Sequence, residues 1–261
     1  MGKPNRQSSL AAIHIFVFGL MTWFSQPAYA QGPVLALPSE DQEVITRQLG
    51  PIVQSALPSE PIEDVSVYFP LRERSATYHV TGGRHIGSQQ TLGVSQIALP
   101  DGKSTWRFEM SPSLSAFISE SPDGDLMMPS LSDVKQGIVV VTSPANPFVL
   151  KGMQPGETRT YAQHVAVYAL EDPSDEEYSG SLNGAYTYIG TYQIAVPAGT
   201  FQTVLLRLKS HGKIGPVHTH DSAYYFLAPG KGMVAMISQE DAVAFWIFHI
   251  DSTAGRVLAA D

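Results

Sequence analysis

The chain has 261 residues, no cysteine, and 24 acidic against 16 basic side chains, for a formal net charge of −8. The absence of cysteine excludes disulfides and acylation of a lipoprotein cysteine. The negative balance disfavours nucleic acid and anionic lipid surfaces as partners, because their phosphates would repel the protein's field.

Lys3 and Arg6 open the chain without any acidic residue, and Leu10 to Phe24 forms an apolar run shorter than a ~20-residue membrane span. Ala28-Tyr29-Ala30 follows Pro27 with small residues at the two positions a signal peptidase reads. The pattern predicts a signal peptide over residues 1–30, cleavage after Ala30, and a periplasmic or secreted product beginning at Gln31. That product keeps 14 basic and 24 acidic residues and carries no later run long enough to span a bilayer.

Residues 31–62 read as an extended and helical segment. Ser39-Glu40-Asp41-Gln42 resembles an N-cap with acids in the first turn. Val44, Ile45, Leu49, Ile52 and Val53 add a patchy helical stripe that Gly50-Pro51 interrupts. One or two short helices are expected between about 40 and 56, ended by Pro58 and Pro61.

Residues 63–258 read as one antiparallel β domain, because short apolar or alternating runs recur between Gly, Pro, Asp and Asn turns. Over 185–196, alternation puts Tyr186, Tyr188, Tyr192, Ile194 and Val196 on one face. Pro197-Ala198-Gly199 then leads into Val204, Leu206 and Leu208, set against Arg207 and Lys209. Residues 137–141 and 244–250 are apolar on both faces and predict strands covered on both sides, by packed core or by a bound apolar ligand. The acidic run Glu171 to Glu177 predicts a solvated loop.

The turn sequences carry a resemblance. Val196-Pro-Ala-Gly-Thr-Phe201, Tyr225-Phe-Leu-Ala-Pro-Gly-Lys-Gly-Met-Val234 and Lys151-Gly-Met-Gln-Pro-Gly-Glu-Thr158 resemble the DUF3108-like domains, exported bacterial β-sheet proteins of unknown function. The likeness spans roughly residues 151–240. It implies a strongly curved antiparallel sheet, an open half-barrel similar to envelope lipid and lipoprotein carriers, and it carries over no catalytic residues.

Catalytic signatures fail on context. Gly102-Lys103-Ser104 lacks the upstream glycine of a phosphate loop. Ser132 and Lys135 have S-x-x-K spacing, but neither Ser-Asp-Asn nor Lys-Thr-Gly accompanies them. His218 and His220 would lie on one face of a strand about 6–7 Å apart, with His211 nearby and His164 or His249 as a third metal ligand. Solvent-facing histidines explain the same spacing, so no metal or cofactor is assigned.

The expected protein is mainly β: a curved antiparallel sheet, an open half-barrel, with a short N-terminal helical element. The expected function is non-enzymatic binding of a hydrophobic or amphipathic envelope molecule. Tyr186, Tyr188, Tyr192, Tyr224, Phe226, Trp246 and Phe248 would line the pocket. Core packing under a helix explains the same aromatic pattern. Two alternatives stay open: an envelope protein–protein interaction module with no small ligand, and a metal-assisted hydrolase built on His218 and His220.

Overall fold

The computed structural model describes residues 32–99, 102, 104–244 and 248–260, with the backbone alone described for 242–244 and 248–251. The predicted signal peptide, its cleavage site and Trp246 lie outside the described residues, as do the side chains of Phe248 and His249.

The first helix, α1 (Ser39–Leu49), buries Asp41, Ile45 and Leu49, one residue per turn along a single stripe. Glu40 and Asp41 suit its positive N-terminus, and Arg47 suits its last turn. Gly50 ends it at φ 78°, a backbone region that glycine enters without penalty. Pro38 takes the cap position and Ser39 makes no capping hydrogen bond, so the expected Ser39 cap is absent.

The chain then forms β1 (Val53–Leu57) rather than more helix, followed by a single helical turn, α2 (Val65–Tyr68), capped by Asp64. Twelve further strands follow: β2 (Arg74–Gly82), β3 (Gln89–Ala98), β4 (Ser104–Glu109), β5 (Leu114–Glu120), β6 (Leu126–Asp133) and β7 (Ile138–Val149). After these come β8 (Thr158–Ala169), β9 (Glu176–Val196), β10 (Gly199–Ile214), β11 (Val217–Ala228), β12 (Gly232–Ala244) and β13 (Phe248–Ala260).

Strands β2 to β13 pair antiparallel in sequence order from β2 to β13, and β13 pairs back onto β2. The sheet therefore closes into a 12-stranded barrel, not the open half-barrel that the sequence suggested. Long β9 makes room for a thirteenth strand. Its first part pairs with β8, and its last part, from Thr191 to Ile194, pairs with β1.

The two predicted turns are the β9–β10 and β11–β12 hairpin connections. Gly230 and Gly232 take φ of 73° and 89° in the second. The apolar run 244–250 is not one strand. Ala244 ends β12 and pairs with Phe248, the first residue of β13, so the run is divided across an antiparallel pair.

Phe148 on β7 meets Tyr225 on β11 at a ring-centroid distance of 5.5 Å. These strands are not neighbours in the sheet, so the contact crosses the lumen and identifies the interior face. Pairing extends that face through Tyr186, Leu208 and Ala223, and through Tyr188, Leu206, Tyr225 and Met236. At the end bearing the β7–β8, β9–β10 and β11–β12 turns, residues 58–73 plug the lumen. Phe69 packs edge-on against Phe108 and Phe148, at 5.3 and 4.8 Å. Backbone bonds tie the plug to two turns of that rim: Gly152 N–H donates to Ile62 C=O, and Gly230 N–H to Val67 C=O.

Helix α1 lies on the outside. Gly82 and Gly255 sit directly beneath Gln48, and a Cβ on either would collide with it, so the two glycines permit the close approach.

Candidate functional site

The predicted aromatic set does not share one surface. Tyr186 pairs with Leu208 and Tyr188 with Leu206, but Gly190 pairs with Leu205, leaving Ile189 as an extra residue in β9. This bulge reverses the side-chain alternation. Tyr186 and Tyr188 point into the barrel, whereas Tyr192 and Ile194 point outward. Tyr224, paired with Arg207, and Phe226, paired with Leu205, also belong to the outer face.

All five described members are packed by protein. Tyr186, Tyr188, Tyr192 and Phe226 are fully buried and Tyr224 is 2% exposed. Tyr186 Oη donates to Phe148 C=O at 3.1 Å and Tyr188 Oη to Glu60 C=O at 3.1 Å. Burial pushes the Tyr188 and Tyr192 hydroxyls up to about 12. Buried Tyr192 Oη has no hydrogen-bond partner among the described residues.

On the outer face, Arg207 Nη1 donates to Asp41 at 2.7 and 2.8 Å and to Glu40 at 2.8 Å, while Tyr224 Oη donates to Asp41 at 2.9 Å. Asp41 is fully buried beneath α1. The cluster clamps the helix to the barrel wall, and every charge in it has a partner of opposite sign.

The histidines lie farther along the outer face. His211 and His220 are paired across β10 and β11, with rings parallel and 6.2 Å apart. His218 neighbours Lys213, and His164 stands on β8. No cluster of three His, Cys, Asp or Glu with metal-binding geometry occurs among the described residues. Ser132 lies on β6, and Lys135 lies in a turn where Asp133 Oδ1 accepts its backbone N–H at 2.8 Å. The acidic residues Glu171 to Glu177 are exposed, as expected.

Beyond the plugged half, the interior changes character. One row of paired interior positions runs Tyr161, Gly184, Ser210, Asp221, Glu240 and Ser252 across β8 to β13. The ring of Tyr161 occupies the space that a side chain at Gly184 would need. Asp221 accepts a hydrogen bond from Thr219 Oγ1 at 2.8 Å. Desolvation, with Glu240 adding like-charge repulsion, pushes its carboxyl up to about 6.

The wall formed by β5 to β7 is mostly apolar, although half-buried Asp133 pairs with both Leu114 and Ile138 in its outermost row. Leu114, Leu131, Ile138 and Val140 continue the interior face by register and are only half-buried. Ser210, Asp221 and Ser238 are half-buried too, and Glu240 and Ser252 are exposed. In the plugged half, Tyr78, Phe108, Ile118 and Tyr225 on the same face are all buried. The lumen is therefore sealed at one end and solvent-accessible at the other, with a polar, acidic wall set against one that is apolar apart from Asp133.

The outer face at this level carries Lys209, Ser222 and Gln239 in one row and Asn183, His211, His220 and Asp241 in the next. Both outward rows are predominantly polar. No described helix is long and apolar enough to cross a membrane.

No family model matches the chain, and no curated protein matches it. The DUF3108 resemblance therefore rests on the quoted turns alone. Among solved structures, a Bacteroides fragilis protein described as exported and as having a YmcC-like fold matches with 12% identity and a TM-score of 0.38, over 74% of this chain and 98% of its own. A Parabacteroides distasonis chain described as a lipoprotein matches with 13% identity and a TM-score of 0.31, over 74% and 97%. The hypothetical lipoprotein YmcC from Escherichia coli matches with 8% identity and a TM-score of 0.31, over 77% and 90%. Likeness at this level assigns the chain neither a family nor a function.

Proposed function

We propose that the protein is an exported, non-enzymatic barrel that binds an amphipathic molecule of the cell envelope in the solvent-accessible half of its lumen. The observation that carries this reading is the change along the barrel axis. One half of the interior is packed by its own aromatic residues and by Phe69, while the other leaves Leu131, Ile138 and Val140 half-buried across from Ser210 and Asp221. A wall of each kind suits a ligand with an apolar body and a polar head.

Of the aromatic residues expected to line the pocket, Tyr186 and Tyr188 face the lumen and support the pocket from below. Tyr186 lies one row below Tyr161 and Ser210 and floors the accessible half. Export is motivated by the residue pattern of positions 1–30. Binding of this kind needs no metal cluster, and none occurs among the described residues.

Native mass spectrometry of the protein isolated from its own cell envelope tests the proposal. A bound mass that organic extraction removes is the expected result. A ligand-free protein that also takes up no added amphiphile would contradict it.

A further inference from the structure

Arg256 is the only buried Lys or Arg among the described residues, at 7% exposure. Register fixes its direction: it pairs with Met236 on one side and Val80 on the other, on the interior face that also carries Tyr225 and Tyr78. Its Nε donates to Gln90 Oε1 at 2.8 Å. Gln90 is neutral, and no carboxylate of the described residues forms an ion pair with Arg256. Desolvation alone moves its guanidinium, downward from the usual arginine range, with no neighbouring charge to offset it.

This arrangement is unusual in physical terms. A buried charge is normally paired, since an uncompensated one carries a large desolvation penalty. Within the same barrel, the more exposed Arg207 holds two carboxylates. With Nε of Arg256 already engaged, its Nη groups remain to meet an oxyanion through parallel N–H···O bonds.

The position is reachable. Toward the open half, the next interior row holds half-buried Ser238 and Ala254, and the one beyond it holds exposed Glu240 and Ser252. On β3, Gln90 itself is half-buried, and Ser88 just before the strand is exposed.

We infer that Arg256 and Gln90 form a recognition site for the oxyanion head of a monoanionic amphiphile, a long-chain carboxylate, whose apolar body lies against Leu131, Ile138 and Val140. The site rests on the amphiphile-binding reading above and adds to it the charge and class of the head. Glu240 on the adjacent strand β12 and Asp221 beside it on β11 favour one negative charge over two, because a dianion would meet their repulsion.

Calorimetric titration of the mature protein with laurate and with dodecanol, which share a chain and differ in the head, tests the inference. The expected result is at least a tenfold preference for laurate. Arg256→Met should reduce laurate affinity to the dodecanol level, leave dodecanol binding within twofold, and leave the empty protein at least as stable as the wild type. Equal binding of the two probes by the wild type, or laurate binding that survives Arg256→Met, would overturn the anion site while leaving the amphiphile reading intact. Binding of neither probe would overturn both. Should Arg256→Met fail to fold, the wild-type preference decides alone: tenfold selectivity supports the site and parity rejects it.

Discussion

Arg207 on β10 donates from a single Nη1 to both carboxylate oxygens of Asp41 on α1, at 2.7 and 2.8 Å, across a sequence separation of 166 residues. Asp41 is fully buried and Tyr224 supplies its third hydrogen bond. The apolar stripe of α1 could pack against many greasy surfaces, but this carboxylate fits only where a cation waits.

Asp41→Ala is therefore expected to lower unfolding free energy by about 3 kcal/mol, the lower part of the range for breaking a buried ion pair, because Arg207 retains Glu40 and some solvent. Urea denaturation measures the loss. Hydrogen exchange should show α1 opening ahead of the barrel. An unchanged midpoint would mean that Asp41 does not hold the helix.

Phe69 makes the lumen contact that seals one end. Phe69→Ala removes a fully buried ring that touches Phe108 and Phe148 and lies beneath the Arg74 guanidinium. A loss of about 3–5 kcal/mol is expected. Paired with Asp41→Ala, the two changes should add to within about 0.5 kcal/mol, since one lies inside the barrel and the other outside. Strong non-additivity in a double-mutant cycle would refute the separation of the two faces.

Deleting Ile189 tests the bulge. Without it, Tyr192 and Ile194 would turn into the lumen, or Tyr186 and Tyr188 would turn out of it, so at least two large buried side chains would change face. The shortened chain should fail to give a cooperative unfolding transition. A stable, native-like protein would show that β9 does not need the extra residue.

That bulge also marks the limit of what the sequence could reveal. Period-two alternation reads cleanly over 185–196, but it has no means of registering one inserted residue, so five apolar side chains on two faces looked like one surface. The Val196–Phe201 and Tyr225–Val234 turns were legible because Pro and Gly impose local backbone geometry. Closure was not, because it depends on β13 reaching β2 from the far end of the chain. β1 was read as helix because Ile52 and Val53 extend the stripe of α1, and pairing with β9 overrides local preference. The divided run 244–250 misled for the same reason, since continuous apolar residues do not show where a hairpin bends. Arg256 carried no signal at all: an arginine near a chain end reads as surface until its register places it in the lumen.

Asp221 gives the barrel a pH dependence of definite sign. Its carboxyl titrates at about 6 in the folded protein, against 3.8 for the reference value, so the folded state binds the proton more tightly than the unfolded state does. Its contribution favours folding below about pH 4 and is lost progressively as pH rises through 6, a change of about 2–3 kcal/mol. Asp221→Asn should flatten that part of the stability profile, measured by urea unfolding between pH 4 and 7. A mutant profile parallel to the wild type would place the dependence elsewhere.

The solvent-accessible half of the lumen is tested most directly by methyl NMR of the mature protein during titration with laurate and, separately, with dodecanol. The account predicts saturable shifts at Leu114, Leu131, Ile138 and Val140, with Leu205 and Ile237 on the outer face unmoved. Shifts confined to the outer face, or no shift at those four side chains with either probe, would contradict it.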